Sequence, residues 1–394
     1  MLNLFSPEML RNPYPMYEAV RSAQPVMYVE PLQLWSVFRY DDVKMVLSDH
    51  ARFSSGPGGP PAAAGGPPNG DGFSLVTTDP PRHTDLRSLV NRAFTPKAVA
   101  ALEPRIEQIT HELLDQVSGT GQIDLVHDFT YPLPVIVIAE LLGVPSNDRD
   151  RFKEWSDEVV ASADAVIGGS HDKGKQANDE MNEYFRGIIA ERRKAPREDL
   201  ISSLIAVEEG AFRLSETDIL SFCRLLLVAG NETTTNLIGN AVLSLLENPG
   251  ELEKLRSNPD MLASTIEEVL RFRSPIQAMF RTAKEDVELR GQVIPKGSKV
   301  IAWIGSANRD EAKFADPARF DIARDPNPHI AFGHGIHFCL GAPLARLEAK
   351  VALTAILDRL PELRRENDEP LEPARGFIVH GVKSLPLRFN PTTG

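Results

Sequence analysis

The chain has 394 residues, 42% of them hydrophobic, and its 43 basic residues against 55 acidic ones leave a formal net charge of −12. That apolar content can bury a large core, and the acidic balance speaks against nucleic acid, whose binding depends on neutralising phosphates. Two cysteines are too few for a disulfide framework. No basic lead precedes an apolar run at the start, and no window approaches the roughly 18 apolar residues a membrane span needs. The expectation is a cytoplasmic protein without a membrane anchor.

In chain order, PVMYVEPLQLWSVFRY reads as a short hairpin with Pro31 near its turn, followed by a helix over DDVKMVLSD. Residues 54–72 are a glycine and proline run that sustains neither helix nor ladder. Composition suggests a linker, but the piece before it is too short for a domain. A long surface loop inside a single domain, residues 1–394, is expected instead. From Pro81 to Arg193 helical patterns follow one another, broken at TPK, SGTGQ, YPLP, GVPSND and IGGSHDKGK.

The longest helix is expected over residues 215–247. Ser215 and Asp218 form a capping-box start, and no proline intervenes before Pro249. At 1.5 Å per residue that is about 48 Å, enough to cross a domain. Its middle reads LLLVAG and then NETTTN, which puts polar groups and poor helix formers where burial is expected. This fits either a solvent-facing stripe or a groove widened for a ligand. In TIEEVLRFRSP, Glu268 and Arg271 share a helix face among apolar residues. An exposed pair there contributes little, whereas a buried one costs about 3 to 5 kcal/mol to break. Strand patterns return in VELRGQVIPKGSKVIAWIGSANRD, turning at PKG, and FIVHGVKSLPLRF looks like a terminal hairpin. With no βαβ alternation, the fold class is mainly α with small β-sheets.

FGHGIHFCLGAPLA sets His334, His337 and Cys339 close together in a glycine-rich loop. A zinc site is one reading, although no matching second cluster exists. A nucleophilic cysteine is another, without a visible base. The third is a soft metal held by one thiolate, in a loop whose glycines allow close approach to a flat ligand.

Taken together, these stretches resemble the cytochrome P-450 superfamily of haem-thiolate monooxygenases in its soluble bacterial form. The cysteine loop F-x-x-G-x-x-x-C-x-G is matched by Phe332, Gly335, Cys339 and Gly341; E-x-x-R by Glu268 and Arg271; [A/G]-G-x-[D/E]-T by Ala229, Gly230, Glu232 and Thr233; and H-x-x-x-R by His83 and Arg87. The order and separation of these motifs fit the family along essentially the whole chain.

The resemblance implies a P-450 fold, with haem b (iron protoporphyrin IX) buried between the long helix and the cysteine loop. Cys339 would be the proximal thiolate on iron, within a haem-binding set that also includes Phe332, Gly341 and Ala229. His83, Arg87, Arg281 and His337 would hold the propionates. Glu232 and Thr233 would relay protons toward bound O2, and Glu268 with Arg271 would be structural. His334 inherits no role, and Cys223 reads as a small buried hydrophobe. Walls of the substrate pocket would come from the 54–72 loop, Leu226, Ile276, Met279, Phe377 and Ile378, which suit a lipophilic fatty acid, terpenoid, steroid or macrolide type of substrate. The chain ends soon after its last strand pattern, so no fused reductase is expected. Electrons would come from a ferredoxin or flavodoxin with its NAD(P)H-dependent reductase, docking on basic residues 82–105. The alternative is a haem-thiolate peroxygenase that uses peroxide directly.

Overall fold

The chain divides into two units, one made of Met1–Ser54, Glu103–Tyr131 and Thr233–Gly394, the other of Ser55–Leu102 and Pro132–Glu232. The structure is a computed structural model and describes residues 6–391 apart from 57–73, 149–150, 153, 156–157, 159–171, 207, 210–211 and 375. The expected loop over residues 54–72 therefore lies, from residue 57 onward, outside the described residues.

In the first unit a five-stranded sheet runs in the spatial order Val26–Val29, Leu34–Val37, Lys299–Ala302, Met279–Ala283, Phe53–Ser54. The first two strands form the expected hairpin, pairing Val26 with Val37 and Val29 with Leu34. Its turn passes through Glu30–Leu32 and a left-handed Gln33. Lys299–Ala302 lies parallel to Leu34–Val37 and antiparallel to Met279–Ala283. Successive strand residues face opposite sides, so Val300 joins the core of Val37, Val43, Leu47 and Phe53, while Ile301 joins Tyr17, Phe38 and Trp303. Both faces are covered, which explains the near-continuous apolar run at 300–304.

That run overturns part of the expected β pattern. A two-stranded ribbon, Val287–Leu289 with Gln292–Ile294, closes at Arg290 and Gly291, both left-handed. The PKG turn then feeds Lys299–Ala302, but Ile304–Ala307 is helical and buried throughout. Burial at every residue suits a covered helical turn better than a half-buried strand.

The terminal hairpin is corrected as well. Pro386–Arg388 pairs with Arg364–Arg365 on one side and Gln122–Asp124 on the other. The backbone of 377–380 bonds elsewhere: Gln277 N donates to Ile378 O at 2.7 Å, and His380 N donates to Pro275 O at 2.8 Å. Alternation alone identified strand-like stretches but not their partners.

The run of helices holds, with Arg82–Ala93, Pro96–Ala100, Glu103–Asp115, Pro132–Leu141 and Asp172–Lys194. In the second unit, Asp172–Lys194 packs on Leu200–Ala206, which packs on Arg82–Ala93. Leu86, Leu89, Met181, Phe185, Ile189 and Leu204 are buried in this unit. Buried Arg192 pairs with Asp199 and donates to Gly143 O at 3.0 Å.

The long helix is Glu216–Glu247. Its start is capped as expected: Asp218 N donates to Ser215 Oγ at 3.1 Å, and Ser215 N donates to Asp218 Oδ2 at 2.9 Å. The mainly helical class with small sheets stands. No described helix is long and apolar enough to cross a membrane.

Candidate functional site: the cysteine loop and its supports

Cys339 sits where a glycine-bearing loop meets the helix Ala342–Arg359. That helix end, three residues on, carries the positive pole of the helix dipole and favours a negative charge nearby. Cys339 N donates to Phe332 O at 2.9 Å, closing the loop, and the short 3-10 turn Gly335–His337 lies between them. His334 caps this turn by accepting from Gly335 N at 2.8 Å on Nδ1, a local role that suits a histidine without an inherited one. Gly335 is left-handed, and a Cβ there would come within 2.9 Å of the Ser48 backbone. Only glycine lets the loop approach that closely.

The residues before the loop are held by charge. Glu268 and Arg271 on the helix Leu262–Phe272 are completely buried. Arg271 donates from Nε to Glu268 Oε2 and from Nη2 to Oε1, both at 2.8 Å. It also donates to the carbonyls of Asn308, Pro317 and Arg319 at 2.9 to 3.0 Å. Glu268 in turn accepts from Asp321 N at 2.9 Å, from Asn327 Nδ2 at 3.2 Å and from Arg324 Nε at 3.2 Å. The pair thus fastens residues 308–327, which lead into the loop.

A second clamp went unseen in the sequence. Glu267 accepts from Arg346 Nε at 2.7 Å and Nη2 at 2.8 Å, and its Oε2 lies 2.9 Å from His329 Nε2. These partners hold its carboxyl down at about 2, against the opposing effect of burial. The Arg346 guanidinium stands 4.5 Å over the centre of the Phe332 ring. Two consecutive glutamates inside an apolar helical pattern were the available signal.

The remaining expected residues fall in both units. In the first, Arg281 is buried in Met279–Ala283 and donates to Phe280 O at 2.7 Å, and His337 ends the 3-10 turn. Met279 and Ile276 are half-buried against the sheet core. Ile378 is buried, and Phe377 is half-buried, resting on Trp303 with ring centroids 5.7 Å apart. Thr233 is half-buried.

In the second unit His83 is buried and Arg87 is half-buried one turn later on the same helix face. Leu226 and Glu232 are half-buried, and Ala229 is exposed. A Cβ on Gly230 would meet Ile138 at 3.1 Å, so this glycine lets the long helix pack closely on the helix Pro132–Leu141. The polar stretch NETTTN is largely buried and not a solvent-facing stripe: Asn231, Thr234, Thr235 and Asn236 are covered, and Thr235 donates to Thr130 O at 2.9 Å. Cys223 is buried, which pushes its thiol well up.

Residues 16–384 match the family model described as Cytochrome P-450. The chain belongs to the cytochrome P-450 family. It is 48% identical to the cytochrome P-450 YjiB of Bacillus subtilis over 383 residues, covering 96% of this chain and 94% of that one. With the cytochrome P-450 monooxygenase PikC of Streptomyces venezuelae it shares 39% over 386 residues, covering 96% and 91%. The crystal structure of CYP109E1 from Bacillus megaterium in complex with testosterone superposes with a TM-score of 0.88 at 46% identity, covering 96% of this chain and 99% of that one. As a cytochrome P-450 the protein is a haem-thiolate monooxygenase that draws electrons from redox partners and acts on lipophilic substrates.

The donor set fits haem. Among the described residues no group of three or more His, Cys, Asp or Glu could hold a metal, so the zinc reading lacks its ligands. Cys339 is a half-exposed soft donor beside half-exposed Phe332, Ile336 and Leu340. An apolar bed with one sulfur, together with the cationic side chain of Arg281, matches a flat apolar ring that carries iron and carboxylates.

Proposed function

We propose that Cys339 is the proximal ligand of haem b and that Arg281, His337, His83 and Arg87 hold its propionates, with Phe332, Gly341 and Ala229 lining the same group. The observation that carries this reading is the half-exposed sulfur, set by a glycine loop at a helix start between two charged clamps. Bound haem supplies an iron that activates O2 and inserts one oxygen atom into a C–H or C=C bond, using two electrons and two protons from outside. Replacing Cys339 with Ala is expected to abolish the red-shifted Soret band that a thiolate gives the reduced carbon monoxide complex. An unchanged spectrum in that variant would overturn the assignment.

Glu232 and Thr233 stand as neighbours on the long helix, and a carboxylate beside a hydroxyl can pass protons through water. Thr233→Ala is expected to consume reduced nicotinamide with less product formed. Equal product per nicotinamide in variant and parent would remove Thr233 from the relay. This acid and alcohol pair supports O2 activation over direct use of peroxide.

The substrate is a lipophilic small molecule of fatty acid, terpenoid, steroid or macrolide type, bordered by Leu226, Ile276, Met279, Phe377 and Ile378. The testosterone in the similar CYP109E1 structure supports a flat hydrophobic substrate. Binding of such compounds is expected to shift the absorption spectrum of the haem-loaded protein, and a spectrum unmoved by any of them would count against this substrate class.

The whole chain works as one P-450 domain in the cytoplasm, served by a ferredoxin or flavodoxin and its reductase. Of the five basic residues expected to receive the carrier, Arg82, Arg87, Arg92, Lys97 and Arg105, Arg82 is already paired with Asp218 at 2.9 Å and Arg105 with Glu112 at 3.3 Å. Neutralising Lys97 should therefore slow reduction more than neutralising Arg82, with the difference fading as salt rises.

A further inference from the structure

Glu267 is spent on neither the Glu268 cluster nor the proposed iron ligand, yet it organises three side chains around the cysteine loop. Its carboxylate grips Arg346 with two parallel bonds and meets His329 with a third. His329 accepts from Ala331 N at 3.3 Å on its other nitrogen and lies 6.3 Å, centroid to centroid, from the Phe332 ring. Arg346 covers that ring at 4.5 Å, and the Phe332 carbonyl accepts the Cys339 amide at 2.9 Å. A planar guanidinium held by a fork and stacked on an aromatic face is a fixed charge. Arg346 is only half-buried, but both its bonds and its ring contact orient it toward the loop.

We propose that Arg346, locked by Glu267 and His329 across Phe332, is a positioning residue whose charge sets the electron density at the Cys339 sulfur and thereby the reduction potential of the iron. The inference rests on Cys339 being the ligand. A positive charge near the thiolate favours the form that carries one more electron, and the Glu267 carboxylate partly offsets it. The hydrogen bonds to Glu267 raise the Arg346 guanidinium above its ordinary value against burial, with the charge of Cys339 adding the smallest contribution.

The test is spectroelectrochemistry on the haem-loaded protein. Arg346→Gln removes the cation and should lower the potential, with the ferric form favoured about threefold or more, about 30 mV at 59 mV per tenfold for one electron. Glu267→Gln leaves the cation uncompensated and should raise the potential. Arg346→Lys, which keeps the charge, should return it most of the way to the parent value. A merely structural clamp would move both glutamine variants in the same direction; that result, or no movement in either, overturns the proposal. Should Arg346→Gln fail to retain haem, Glu267→Gln decides alone, and the absence of an upward shift is the refuting result. The two readings fail separately. A thiolate-type carbon monoxide spectrum that persists in Cys339→Ala defeats the ligand assignment, whereas variants that keep this spectrum at an unmoved potential defeat only the role of Arg346.

Discussion

Arg271→Lys retains the charge beside Glu268 but replaces a planar five-donor fork with a point of three donors. In the parent, two bonds go to Glu268 and three to the carbonyls of Asn308, Pro317 and Arg319, all from a side chain with no exposed surface. Lysine can keep the carboxylate but cannot also span three carbonyls fastened from different directions. The Arg319 carbonyl keeps a second donor in Arg324 Nη2 at 3.2 Å, so at least one of the Asn308 and Pro317 carbonyls loses its donor, at about 1 to 3 kcal/mol. Against a typical stability of about 5 to 15 kcal/mol, this is a substantial fraction. Urea unfolding followed by far-UV circular dichroism should show a lower midpoint with an unchanged slope, and haem should be lost from the variant before the helices melt. A loss below about 1 kcal/mol would refute the reasoning, because it would mean that the carbonyls are served from elsewhere or that the pair is hydrated.

Gly335→Ala places a Cβ against the Ser48 backbone in a left-handed conformation, and we expect a loss of more than about 2 kcal/mol in stability together with weakened haem retention; a thermal melt matching the parent would contradict this. Glu348, on the helix that follows Cys339, is buried with no hydrogen-bond partner recorded for Oε2 among the described residues, and burial pushes its carboxyl up to about 8. The folded state therefore keeps a proton that the unfolded chain releases above about 4.5, so stability falls as pH rises from about 4.5 to about 8. Glu348→Gln should leave stability unchanged at pH 4 and raise it by up to about 3 kcal/mol at pH 7; equal gains at both values would show that packing, and not protonation, is responsible.

Much of the helical frame was legible because its signals are local. The Ser215 and Asp218 cap, the uninterrupted run to Pro249 and the hairpin around Pro31 each depend on residues a few positions apart. What failed was pairing across long separations. Pro386–Arg388 finds its partners at 122–124 and 364–365, and nothing in the alternation of FIVHGVKSLPLRF encodes which edge is free. Trp303 to Ala307 was misread because burial on every side erases the period that distinguishes strand from helix. The site showed the same division. Cys339, Glu268 and Arg271 stood out through motif spacing, whereas Arg324, Asn327, His329 and Arg346 act through partners more than 50 positions away.

Two adjacent carboxylates, Glu267 and Glu268, reach opposite flanks of one loop. Glu268 and Arg271 tie down residues 308–327 on the approach to it, and Glu267 takes hold of Arg346 on the helix that leaves it. Between these anchors the chain has only a single 3-10 turn and two left-handed glycines, Gly333 and Gly335, so the loop has little regular structure of its own to fix the sulfur. Neighbouring residues on a helix point about 100° apart, which is what allows a single turn of Leu262–Phe272 to serve both sides. The position of Cys339 is thus set from outside the loop, by a fully buried ion pair on the approach and a partly exposed one on the helix that leaves, more than by the glycines that let it come close.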